Sequence, residues 1–205
     1  MMFSVIDVET TGLSPKSGDR VLEIGIVRMD QSGTIREELD TLVNPGRSVR
    51  ATKIHGITDE MVADAPSFRE ILPVLNEALN GTIIAGHNAS FDLSFLRAEY
   101  QRAGTPMPST KPLCTLVLAR KYLAALPSRS LESCRRHLGI SHDGAHNALA
   151  DARSAALVLH FFLTHHHHNT EALQPFRAEI SKYGGPGLFD EIVELKPRSN
   201  HGARE

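Results

Sequence analysis

Phe3-Ser4-Val5-Ile6-Asp7-Val8-Glu9-Thr10-Thr11-Gly12-Leu13 is the stretch on which the reading of this chain turns. Residues 3–9 are β-rich, and Gly12 ends the run as a turn signal. Residues 21–29 and 35–43 read as two more strands, and Asp30-Gln31-Ser32-Gly33 between them suits a hairpin. Three consecutive strands predict an antiparallel meander. Within the first, Asp7 and Glu9 stand at i and i+2. Side chains alternate across a strand, so both carboxylates point to one face. Like charges on one face repel, and a cation resolves the conflict. The polar face of an edge strand is the plainer reading of the same pattern. Thr10-Thr11-Gly12 follows directly, with hydroxyl donors and the close backbone approach that a phosphate contact needs.

Beyond the meander the period changes. Ser67 and Glu70 form a capping box, and Phe68, Ile71, Leu72, Leu75 and Leu79 follow at helical spacing, with Pro73 expected to kink the helix. Residues 82–85 read as a short buried strand. Asn88 reads as the N-cap of a helix that carries Phe91, Phe95, Leu96 and Tyr100 and stops at Gly104. Helices are predicted over 115–122 and 130–138. A last one covers 147–163, with Leu149, Ala152, Ala156, Leu159 and Leu163 spaced by threes and fours. Meander first and helices around short strands afterwards predict an α/β layer with a mixed sheet. Asp92 falls in the first turn of its helix, where the dipole favours a carboxylate in any case. His146 and Asp151 are five residues apart, about 140° around a helix. They cannot share a helix face, so His146 belongs to the loop before the helix and Asp151 to its first turns.

Composition bounds the function. At 205 residues the chain can bury a core without disulfides, and 41% hydrophobic with 22% charged residues excludes wholesale disorder. Two cysteines, Cys114 and Cys134, do not make a disulfide framework. No apolar run approaches a membrane span, and the first residues lack the pattern of a signal peptide, so a cytoplasmic location is expected. Lys and Arg number 22 against 24 Asp and Glu. A strongly basic nucleic-acid binder is excluded, but an enzyme that meets phosphates through carboxylate-held metals is not.

Taken in order, Asp7-Val8-Glu9-Thr10-Thr11-Gly12-Leu13, His87-Asn88-Ala89-Ser90-Phe91-Asp92 and His146-x-x-x-x-Asp151 resemble the three motifs of the DnaQ-like, or DEDD, family of 3′–5′ exonucleases. The resemblance runs from about residue 3 to 163. Leu42-Val43-Asn44-Pro45-Gly46 and Ile54-His55-Gly56-Ile57-Thr58-Asp59 look like the form found in bacterial DNA polymerase III epsilon subunits. Asn147 stands where the tyrosine branch of the family would carry Tyr, and the H-x4-D spacing marks the histidine branch. The resemblance implies a ribonuclease-H-like fold, a mixed five-stranded sheet flanked by helices, over residues 1–164. It implies two divalent ions, Mg2+ or Mn2+, on Asp7, Glu9, Asp92 and Asp151, with His146 as general base and not a ligand. Thr10, Thr11, Gly12, Leu13, His55 and Phe91 would border the terminal nucleotide. For His55 the alternative is a histidine that only hydrogen-bonds its loop, and for Phe91 a plain core position.

The implied activity is removal of nucleoside 5′-monophosphates from single-stranded or mispaired DNA 3′ ends, in replication proofreading. An RNA-trimming exonuclease and a non-catalytic polymerase accessory module are the competing readings. Residues 165–205 would form an extension that binds a replicative polymerase subunit. Gly187-Leu188-Phe189 only faintly resembles a sliding-clamp-binding ending, and the histidine run 165–168 reads as a solvated helix end. Glu23, an acid inside an otherwise apolar strand, is not explained by the motifs; support behind the carboxylates and an edge contact are its two readings.

Overall fold

The computed structural model describes residues 1–108, 111–141 and 147–165, the last without its side chain. Strands β1 (Met2–Thr10), β2 (Val21–Asp30) and β3 (Ile35–Leu42) form the meander. The Asp30 carboxylate closes the β2–β3 turn by accepting from the Ser32 and Thr34 N–H groups at 2.9 and 3.1 Å. Helices α1 (Thr52–His55), α2 (Asp59–Val62) and α3 (Phe68–Leu79) follow. Glu70 accepts from the Ser67 N–H, as the capping box requires, and α3 continues through Pro73. Strand β4 (Ile83–Gly86) pairs parallel to β1 on the side away from β2, and β5 (Leu113–Cys114) pairs parallel to β4. Between them runs α4 (Ala89–Arg102), and after them come α5 (Thr115–Tyr122), α6 (Leu131–His137) and α7 (Ala148–His165). The sheet order is β3-β2-β1-β4-β5. Among the described residues no helix is long and apolar enough to cross a membrane.

The two faces of β1 enter different cores. Ile6 and Val8 pack with α3 and α4, through Phe68, Leu75, Leu93 and Phe95. Phe3 and Val5 pack with Val27 and Met29 of β2 under Ala152, Ala155, Ala156, Leu159 and Phe162 of α7. Alternation continues along the strand, so Asp7 and Glu9 lie on the α7 face. The register sets Phe3 beside Met29, Val5 beside Val27, Asp7 beside Gly25 and Glu9 beside Glu23. One stripe of this face thus runs from apolar to acidic, and α7 lies along it.

Four details differ from the sequence reading. Strand β5 has two residues, too few to show a period, and α1 and α2 have one turn each. Asn88 precedes α4 with a left-handed φ of 73°, and its side chain makes no capping bond. Helix α7 includes His165, one residue past the expected domain boundary. His146, residues 166–168 of the histidine run and the motif at 187–189 lie outside the described residues.

Candidate active site

The register between β1 and β2 shifts between Glu9 and Thr10, and the pairing resumes with Thr10 beside Val21 and the Thr11 N–H on the Arg20 carbonyl at 2.9 Å. The loop beyond is tied by Asp19, whose carboxylate accepts from the Ser14 N–H at 3.1 Å. A Cβ on Gly12 would overlap that carboxylate, which is why glycine stands there. Both threonine hydroxyls serve this loop: Thr10 Oγ1 donates to the Gly12 carbonyl at 2.6 Å, and Thr11 Oγ1 accepts from the Arg20 N–H at 3.0 Å. Leu13 is thereby held outward, 84% exposed.

Asp151 arrives from the other end of the sequence. It lies in the first turn of α7, and the α7 backbone rests directly on Gly25, where a Cβ would overlap Ala148 and Leu149. Asp7, Glu9 and Asp151 can each offer an oxygen within 4.8 Å of the other two. Asp92 comes from the opposite helical layer. Beyond the β1–β4 ladder, which ends at Val5 and Ala85, the Val8 N–H donates to Asp92 Oδ1 at 3.3 Å.

Electrostatics sets these groups apart. Loss of hydration is the largest cause raising the Asp7 pKa well above the usual carboxylate range, followed by the charges of Asp92, Asp151, Glu9 and Glu23. Asp7 keeps some exposed surface, yet protein surrounds its carboxylate closely enough for desolvation to dominate. Burial likewise pushes Asp92 up to about 7, against the lowering effect of its own and the Val8 N–H groups. Oxygen-only donors, converging and mutually repelling, fit hard divalent cations. The residues present therefore suit the metals that the motifs imply.

The remaining expected residues divide. His55 is buried, its Nδ1 accepts from the Ile57 N–H at 3.0 Å, and its Nε2 lies 2.9 Å from the Arg50 carbonyl. It braces its own loop. Phe91 is half-buried against the α3–α4 core, with its ring 5.1 Å from that of Phe95. Gly25 is the contributor that sequence reasoning left without a role, and Glu23 the one for which it left support of the carboxylates and an edge contact both open. Glu23 is fully buried, and its carboxylate accepts from Asn147 Nδ2 and the Ala148 N–H, both at 3.2 Å. A lone glycine inside an apolar strand was the available signal for Gly25.

A mixed sheet with helices on both faces and carboxylates at the end of its first strand is the ribonuclease-H-like architecture. The model of the exonuclease family (RNase_T) matches residues 4–159, and the chain belongs to that family. The DNA polymerase III subunit epsilon of Treponema pallidum is 33% identical over 168 residues, 80% of this chain and 77% of that protein. A DNA polymerase III subunit epsilon-like protein of Rhodobacter capsulatus is 37% identical over 161 residues, 76% of this chain and 23% of that protein. The chain spans about a quarter or less of the longer curated relatives it matches. E. coli exonuclease I in complex with a dT13 oligonucleotide shares the fold, with a TM-score of 0.74 at 22% identity over 86% of this chain and 44% of that one.

Proposed function

We propose that this protein is a metal-dependent 3′–5′ exonuclease that releases nucleoside 5′-monophosphates from single-stranded or mispaired DNA 3′ ends, in replication proofreading. The observation that carries this reading is the convergence of Asp7, Glu9 and Asp151, with Asp92 also acting on Asp7. Asp7, Glu9, Asp92 and Asp151 would hold two Mg2+ or Mn2+ ions. When bound, such a pair acidifies the attacking water and neutralises charge on the scissile phosphate and the leaving oxygen. His146 takes the proton from that water, because an imidazole titrates near neutrality. Leu13 and Phe91 offer apolar surface to the terminal nucleotide, Thr10, Thr11 and Gly12 shape the loop that presents Leu13, and His55 braces a second loop at the same subsite. Residues 1–164 form the exonuclease domain in this reading, and residues 165–205 attach a replicative polymerase subunit. The relatives named for polymerase III epsilon support both DNA and that partner.

The test is degradation of matched DNA and RNA oligonucleotides, single-stranded and mispaired, with Mg2+ or Mn2+. The expected result is stepwise shortening of DNA from its 3′ end, abolished by a chelator. Faster trimming of RNA would reassign the substrate, since the 2′-hydroxyl is the group that separates the two. No release from either strand with either metal would refute the enzymatic reading.

A further inference from the structure

We propose that Glu23 is a positioning residue for the acidic cluster: with Gly25 beside it, its carboxylate seats the N-terminus of α7 so that Asp151 meets Asp7 and Glu9 in a metal-binding arrangement. The proposal rests on the reading of these carboxylates as metal ligands.

Glu23 and Gly25 stand at i and i+2 of β2, on the stripe that α7 covers, and they pair across the sheet with Glu9 and Asp7. The missing Cβ of Gly25 sets how deeply the helix sits, because the Ala148–Leu149 backbone occupies that space. Depth alone leaves the helix free to slide and rotate. Glu23 removes that freedom by taking two donors at once, one oxygen on Asn147 Nδ2 and the other on the Ala148 N–H. A carboxylate at a helix N-terminus is also favoured by the dipole. The grip is passed on through Asn147. Its Oδ1 accepts from the Ala150 N–H and its carbonyl from the Asp151 N–H, both at 3.0 Å. Two short steps therefore join the Glu23 carboxylate to the backbone of Asp151.

A neutral cap would hold a helix end as well. Glu23 instead places another negative charge where it acts on Asp7. That charge opposes the cluster when it holds no cation and favours it when a cation is present. Glu23 spends one bond of each oxygen on Asn147 and Ala148 and is not part of the converging group of Asp7, Glu9 and Asp151, so its role is to place a ligand.

The experiment measures Mn2+ binding by calorimetry, without substrate, in the full chain and in Glu23→Ala, Glu23→Gln, Asp151→Asn and the double variant Glu23→Ala/Asp151→Asn. Glu23→Ala should weaken Mn2+ binding by about 10–100-fold, the range typical of groups that orient ligands. Glu23→Gln keeps an acceptor for the Ala148 N–H and should fall in between. The loss in the double variant should fall well short of the sum of the two single losses, because the positioning by Glu23 acts through Asp151 and only its charge acts independently. Arg153→Ala is the control for anchoring alone: it removes the Arg153–Glu38 pair that ties α7 to β3. It should lower the melting temperature and leave Mn2+ affinity unchanged. Wild-type affinity in both Glu23→Ala and Glu23→Gln would overturn the proposal, as would losses that simply add in the double variant. Should Glu23→Ala fail to fold, Glu23→Gln carries the same test. A wild-type chain that binds no Mn2+ would bring down the metal reading itself, a failure distinct from that of the positioning role.

Discussion

Two acids that pack near β2, the buried Glu99 and the partly buried Asp7, are treated in opposite ways. Glu99, 2% exposed on α4, receives Arg20 through Nε at 2.6 Å and Nη2 at 2.8 Å, and Arg102 at 3.1 Å. Asp7, near the end of β1, has only acids among the charges of described residues that act on it. The fold thus brings arginines to a carboxylate whose role is to join the loop after β1 to α4. Around Asp7 it brings more carboxylates. A buried charge without its counter-ion costs several kcal/mol, so this assembly is held together against its own repulsion by the packing beneath it. The difference separates an acid that stabilises the fold from acids that the fold holds together against their own charge.

The sharpest way to break this contrast is Asp7→Asn. Oligonucleotide hydrolysis should fall to background, while the melting temperature in a chelator should rise, because repulsion has been relieved. A fall in that melting temperature would make Asp7 a structural acid like Glu99. His146→Ala separates chemistry from charge. It should slow turnover by about 10²–10⁴-fold, the usual worth of a general base, and leave calorimetric Mn2+ binding intact. Loss of binding would instead place His146 among the ligands. Glu99→Gln is the converse of Asp7→Asn. It leaves Arg20 partly unpaired and should cost about 3 kcal/mol in denaturant unfolding, equally with and without metal.

A smaller effect follows pH. The Asp92 pKa is raised to about 7 in the folded chain, from an ordinary 3.8, so the folded state holds its proton more tightly. The stability this adds is complete below pH 3.8 and is lost as pH rises through about 7. In a chelator the melting temperature should therefore fall more steeply over that window in the wild type than in Asp92→Asn. Mn2+ should flatten the wild-type slope, and equal slopes in the two chains would contradict the assignment. The smallest effect is expected from truncation after His165, where α7 ends. Melting temperature and activity on a short single-stranded oligonucleotide should both stay near those of the full chain, and a large drop in either would make residues 166–205 part of the fold.

What was legible in the sequence was local. A period of two along β1 puts Asp7 and Glu9 on one side whatever surrounds them, and helical spacing places Asp92 and Asp151 in first turns. The capping box at Ser67 and Glu70 and the hairpin at Asp30 are complete within a few residues. The roles of the polar groups were less accessible, because a role depends on the partner. Thr10 and Thr11 read as phosphate donors from their types alone, and only the fold shows which loop partners their hydroxyls have. Asn88 reads as the N-cap of α4 and stands there, but with a left-handed backbone and no side-chain capping bond.

The sequence by itself therefore determined on which side of its strand Asp7 and Glu9 lie and that Asp92 and Asp151 fall in first turns of helices, because those are properties of a repeat a few residues long. Tertiary structure alone decided that Asp151 meets Asp7, that Glu23 grips a helix more than a hundred residues away, and that Glu99 is neutralised while Asp7 is not. Each of these depends on which element covers which face of the sheet. That choice is made by the shape of Gly25 and the small side chains of Ala152, Ala155 and Ala156, which let α7 lie close along β1 and β2. Packing of this kind acts between residues distant in the chain, and no pattern within a single segment encodes it.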